Sequence, residues 1–152
     1  MFQDEPFLAY ANNSYGFWNA SQQLDENRHA YGHIVSFWNL LFSLELSLKG
    51  LIMKNTKSLL IGHELKNLRV KCANYFNFTE REKKAIDFWD PYYSGSGGFK
   101  YPNPNYEANY FPHDFSILSR LVQRILEEVY VDNGHWEFKL SKELVGLEHI
   151  PE

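Results

Sequence analysis

Cysteine is almost absent from this 152-residue chain: Cys72 stands alone, so no disulfide can form within it, and a reducing, cytoplasmic setting is expected. The opening Met1-Phe-Gln-Asp-Glu-Pro6 has no basic stretch leading into an apolar one, and no secretory leader is expected. A surplus of cations is missing too. Lys+Arg 15 against Asp+Glu 19 leaves a net charge of −4, which excludes indiscriminate attraction to nucleic acid or anionic lipid. Phosphate-cradling glycine motifs are also lacking, since Ser94-Gly-Ser-Gly-Gly98 fits neither the Walker spacing nor Gly-x-Gly-x-x-Gly. His63-Glu64 opens like a zinc-protease signature, but Asn67 stands where the second histidine ligand belongs, which excludes that chemistry.

Aromatic residues, by contrast, are plentiful at 17%, and 44% of the chain is hydrophobic, which excludes wholesale disorder. The length suits one core and one domain, 1–152. Tyr10, Ser14, Phe17, Trp18, Ser21 and Leu24 recur at three or four residues and predict a helix over roughly 7–26. Ile34, Phe37, Trp38, Leu41, Leu44, Leu48, Leu51 and Ile52 predict a longer one over about 31–55. Asn39, Glu45 and Lys49 fall inside that helix. Each central charge costs roughly 2.5–3.5 kcal/mol on membrane insertion, so a bundle core is expected rather than a membrane span.

A third helix is expected from His63, with Leu65, Leu68 and Cys72 inward and Cys72 a packed thiol. Thr79-Glu-Arg-Glu82 reads as a capping box opening a fourth helix, which is expected to end before Pro91. Residues 91–112 hold four of the six prolines and read as a long loop, a candidate lid or partner surface. The fifth helix, capped by Asp114, carries Phe115, Leu118, Val122, Ile125 and Val129 on one face. Alternation of Trp136, Phe138 and Leu140 suggests a C-terminal strap. The expected fold is all-α: an antiparallel up-and-down bundle of about five helices, with residues 132–152 as an extension.

Charge is distributed unevenly. Ser47 to Lys84 holds nine basic and three acidic residues, a net of +6, while the remainder carries −10. Lys66, Arg69, Lys71, Lys83 and Lys84 are therefore candidate phosphate contacts. Glu45 and Lys49 stand one turn apart in the favourable order for an ion pair. Glu26, His29 and His33 have metal-ligand spacing on a helix, but a carboxylate-bridged metal pair needs two such elements and only one exists; no metal and no cofactor are expected. Arg28 and His33 together supply an arginine for a scissile phosphate and a histidine to move a proton, which is the minimum for metal-independent RNA cleavage.

Leu44-Glu-Leu-Ser-Leu-Lys-Gly-Leu-Ile52 followed by Gly62-His-Glu-Leu-Lys-Asn-Leu68 resembles the HEPN superfamily, whose members carry E-x-x-x-K and G-H-D-L helices. Glu45, Lys49, Gly62, His63, Glu64, Leu65 and Leu68 occupy the matching positions, and Phe99-Lys-Tyr-Pro102 is similar to the family's R-Y-P stretch. The resemblance covers about residues 12–131. It implies a helical bundle, commonly a homodimer, of the kind found in prokaryotic toxin–antitoxin, defence and nucleotidyltransferase-associated systems. Gly62 would permit the turn before the third helix, and Glu64 would favour its positive end. His63 would bind helix-start backbone or contact ligand.

Active members of that family place Arg-x4-6-His in the later half of the domain. Here Lys100 stands near that place and no histidine follows at that spacing; only Arg28 to His33 matches, ahead of the central helix. A non-catalytic module is therefore expected, binding RNA, a nucleotide or a partner protein through His63, the basic middle, Lys100 and Tyr101. The alternative is an endoribonuclease using Arg28 and His33.

Overall fold

The computed structural model describes residues 6–27, 32–58, 62–94 and 111–131; for 25–27, 32–34, 111 and 112 it describes the backbone alone. These form five helices, with no strand among the described residues: α1 (Pro6–Asn27), α2 (Gly32–Thr56), α3 (Leu65–Cys72), α4 (Glu80–Ser94) and α5 (Phe111–Tyr130). The all-α bundle anticipated from periodicity is the observed fold. Lys100, Tyr101 and the Trp136–Leu140 strap lie outside the described residues.

The largest interface joins α1 to α2, and small residues create it. Phe7, Ala11, Ser14, Trp18 and Ser21 are buried along α1 at alternating steps of four and three, as in the seam of a supercoiled pair. Across from them, Ser14 Oγ donates to the Ser43 carbonyl at 2.7 Å and Ser43 Oγ returns the bond to the Ser14 carbonyl at 2.7 Å. One end of the seam is closed by Ser36 Oγ donating to the Ser21 carbonyl at 2.7 Å. At the other end a Cβ on Gly50 would lie 3.3 Å from the Phe7 carbonyl. Residue numbers rise on one helix as they fall on the other, so the pair is antiparallel. The Ser14, Ser36 and Ser43 hydroxyls satisfy themselves on facing backbone and Ser21 Oγ donates to the Trp18 carbonyl of its own helix, so burying them leaves none of these donors orphaned.

α5 packs beside both. Trp18 Nε1 donates to the Ser119 carbonyl at 3.2 Å and Tyr130 hydroxyl donates to Asn12 Oδ1 at 2.5 Å, which sets α5 antiparallel to α1. Lys54 Nζ reaches the Glu128 carbonyl at 2.9 Å while Phe37 and Phe115 rings lie 6.4 Å apart, which sets it parallel to α2. The inward face of α5 is the expected one: Phe115, Leu118, Val122, Ile125 and Val129 are all buried. Val35–Thr56 is long and apolar enough to span a membrane by length and composition, yet most of it is buried inside the bundle as its core helix.

The capping box at the start of α4 is present in full: Thr79 N–H donates to Glu82 Oε1 at 2.8 Å and Glu82 N–H to Thr79 Oγ1 at 3.2 Å. Two expectations for α4 and α5 need correction. α4 does not stop before Pro91 but runs through it to Ser94. Proline removes one intrahelical bond, and here the lost bond falls in the last turn, where packing of Tyr93 and the bond from Ser94 Oγ to the Asp90 carbonyl at 2.8 Å offset it. Asp114 does not cap α5, which begins at Phe111; its carboxylate accepts the Trp89 indole N–H at 2.6 Å across the α4–α5 interface.

Cys72 is fully buried, and its Sγ lies 3.5 Å from the Leu48 carbonyl. Burial pushes the thiol up to about 12. Because only the thiolate attacks disulfide reagents, native protein at pH 8 should be almost inert to a chromogenic disulfide, with roughly one thiol in 10⁴ ionised. Full reaction should appear only in denaturant; stoichiometric labelling of the native state within minutes would show that this part of the core opens.

Candidate functional site

Glu45 projects from the middle of α2 into the core and is 1% exposed. A carboxylate so placed needs donors, and three converge on it. Lys49 Nζ, one turn later on the same helix and itself buried, donates to Oε1 at 2.8 Å, so the pairing read from their spacing is present. His63 Nδ1 lies 2.5 Å from the same oxygen. The Tyr93 hydroxyl, brought in by the turn of α4 that continues past Pro91, donates to Oε2. Burial, and then the bond to Glu45, push the Tyr93 phenol far above its ordinary range, so it serves only as a donor. Trp38 packs against its ring at 5.3 Å.

His63 differs from the other members. Its side chain is 74% exposed although its partner carboxylate is buried. The preceding Gly62 has φ +114, a value that L side chains rarely adopt, and the chain bends there to turn the imidazole back onto α2. The role of Gly62 in the turn is thus met, but His63 does not cap α3. Asp90 does so from α4, its Oδ1 accepting the Leu65 N–H at 2.8 Å. Glu64 occupies the N-cap position and accepts from the Asn67 amide. A histidine whose Nδ1–H is held by a carboxylate presents Nε2 to solvent in a fixed orientation. It can accept a hydrogen bond there, or donate one once protonated.

The candidate basic residues fall into two groups. Arg69 is engaged bidentately by Asp87, at 2.9 Å from Nη2 to each oxygen, and Lys83 pairs with Glu80 at 2.8 Å. Lys66, Lys71 and Lys84 are exposed. Glu80 reports how these cations gather: its carboxyl is held below the usual range by the Lys83 bond first, then by the charges of Lys83, Lys84 and Arg69. Arg69 of α3 and Lys83 and Lys84 of α4 therefore lie close enough to act on one carboxyl, and two of the three are already paired with acids.

Of the remaining candidates, Arg28 lies outside the described residues and His33 is placed only by its backbone at the start of α2; the spacing of Glu26, His29 and His33 likewise falls there. Among the described residues no three His, Cys, Asp or Glu side chains come together to hold a metal. The Tyr93 and His63 contacts with Glu45 were missed from sequence. The one available signal was an acid on an apolar helical stripe, which demands donors without saying from where. No protein-family profile, curated protein or solved structure matches this chain.

Proposed function

We propose that the chain is a non-catalytic binding module of HEPN type that recognises RNA phosphates through His63 and the exposed lysines of α3 and α4. The observation that carries this reading is the solvent-facing imidazole of His63 held by buried Glu45 on the turn that opens a lysine-bearing helix. Support for the HEPN part is that both stretches carrying the resemblance meet in one network, Glu45 and Lys49 from the first and His63 from the second. The setting is a cytoplasmic prokaryotic defence or toxin–antitoxin system. A homodimer accompanies it: Val35, Val70, Phe88 and Val131 are exposed apolar side chains of the kind a partner covers. Light scattering should give twice 18.0 kDa at micromolar concentration.

RNA binding should weaken as salt rises, with each lost phosphate contact lowering the log–log slope by about 0.7 for single strands. Lys66→Gln, Lys71→Gln and Lys84→Gln together should therefore flatten the slope by roughly 2. Absence of RNA binding at low salt would refute the nucleic-acid part and leave a partner-protein surface in its place. Wild-type protein should leave cellular RNA intact in the presence of a chelator. Degradation by wild type and none by an Arg28→Ala, His33→Ala variant would replace this reading with the endoribonuclease.

A further inference from the structure

The imidazole of His63 is held more firmly than a contact with RNA requires. Its Nδ1 lies 2.5 Å from Glu45 Oε1, and a carboxylate can only accept, so in the neutral ring the proton sits on Nδ1 and the lone pair on Nε2. Glu45 is fixed in turn. Lys49 Nζ donates to the same oxygen at 2.8 Å and the Tyr93 hydroxyl donates to the other, while the His63 side chain stays 74% exposed. A carboxylate on one ring nitrogen raises the basicity of the other. An exposed nucleophilic atom, an acceptor behind it and further groups that orient that acceptor stand here in the order that activates a side chain for covalent chemistry.

His113 shows the opposite arrangement. It too is exposed, but Arg81 Nη2 lies 3.1 Å from its Nε2, and a guanidinium can only donate, so the lone pair of that nitrogen is already engaged. The two histidines therefore differ in the availability of Nε2, not in exposure.

We infer that His63 is a phosphoryl acceptor, modified at Nε2 by a small acyl phosphate. The Nε2 lone pair attacks phosphorus, the N–P bond forms as the P–O bond to the acyl group breaks, and the carboxylate leaves with that electron pair. The proton stays on Nδ1. The ring becomes a phosphorylated imidazolium whose positive charge faces Glu45, and the phosphoryl oxygens remain in water. A doubly charged donor is drawn to this part of the chain, since residues 47–84 hold nine basic and three acidic side chains. The acceptor role needs only His63 and the carboxylate behind it, and so stands apart from the RNA reading.

Timed phosphorylation of the intact chain by acetyl phosphate in mildly alkaline buffer, read by mass spectrometry of its peptides, provides the test. A phosphoryl group is expected on His63, lost in acid and kept in alkali as a P–N bond requires; the acetyl adduct that the same reagent leaves on lysines differs in mass. In the folded protein His63 should react at least about tenfold faster than His113, and in urea, where neither ring keeps its partner, the two rates should converge. Glu45→Gln leaves an acceptor without the charge and should slow His63 at least about tenfold while His113 is unchanged. Should that variant fold poorly, the comparison with urea decides alone. No phosphohistidine at His63, a rate equal to that of His113 in the folded protein, or an advantage of His63 that survives urea or Glu45→Gln would overturn the assignment. RNA enters none of these measurements, so failure of the RNA reading leaves the acceptor standing, and failure here leaves His63 as a contact.

Discussion

Leu48→Asp should abolish cooperative folding. Leu48 is completely buried on α2, and its backbone carbonyl meets the Cys72 thiol, so α3 closes over it. The substitution removes a packed aliphatic side chain, worth roughly 2–5 kcal/mol, and places a carboxylate where no donor waits, adding several more. Total stability for a domain is only about 5–15 kcal/mol. The two losses together consume most or all of it. Circular dichroism of the variant should show no cooperative thermal transition, while Leu48→Met, nearly equal in volume, should cost less than about 1.5 kcal/mol. A soluble Leu48→Asp protein that melts with wild type would mean that this face of α2 is not core.

That prediction could be made from periodicity because α2 repeats its apolar residues over several turns, and the charges of Glu45 and Lys49 within it favour a bundle core over a membrane. The capping box of α4 was legible for a similar reason: Thr79 and Glu82 interact with each other, and everything needed lies within four residues. The limits were set by sequence separation. Glu45 meets Lys49 four residues on, which spacing reveals, but it meets His63 at 18 and Tyr93 at 48, which only the packed bundle brings about. Pro91 misled because proline disfavours helix at the residue before it without forbidding it, and here the packing of Tyr93 carries α4 through it to Ser94. Asp114 misled because α5 begins three residues earlier, at Phe111, which leaves the carboxylate inside the first turn, where it accepts from Trp89 of α4. The basic middle was legible as composition, yet its partition into paired Arg69 and Lys83 and exposed Lys66, Lys71 and Lys84 required Asp87 and Glu80 to be placed.

Glu45→Ala should lower the melting temperature by roughly 10 °C or more, although the residue contributes nothing to the apolar core. The loss comes from what it leaves behind. Lys49 would remain 6% exposed without its counterion, and the Tyr93 hydroxyl would lose its acceptor. Breaking one side of a buried pair costs about 3–5 kcal/mol, whereas replacing both sides by apolar groups of similar volume is often neutral. Glu45→Leu combined with Lys49→Met should therefore recover most of the lost stability; a double variant as unstable as Glu45→Ala would show that Tyr93, not Lys49, dominates the penalty. His63 separates structure from recognition. Its side chain is 74% exposed, so His63→Ala removes little buried contact and should shift stability by less than about 1 kcal/mol. If the imidazole is held out for a ligand, that same variant should bind RNA more weakly than wild type at equal salt. A His63→Ala protein with full RNA affinity and a lowered melting temperature would make the histidine one more strut of the Glu45 network and leave the lysines as the contacts.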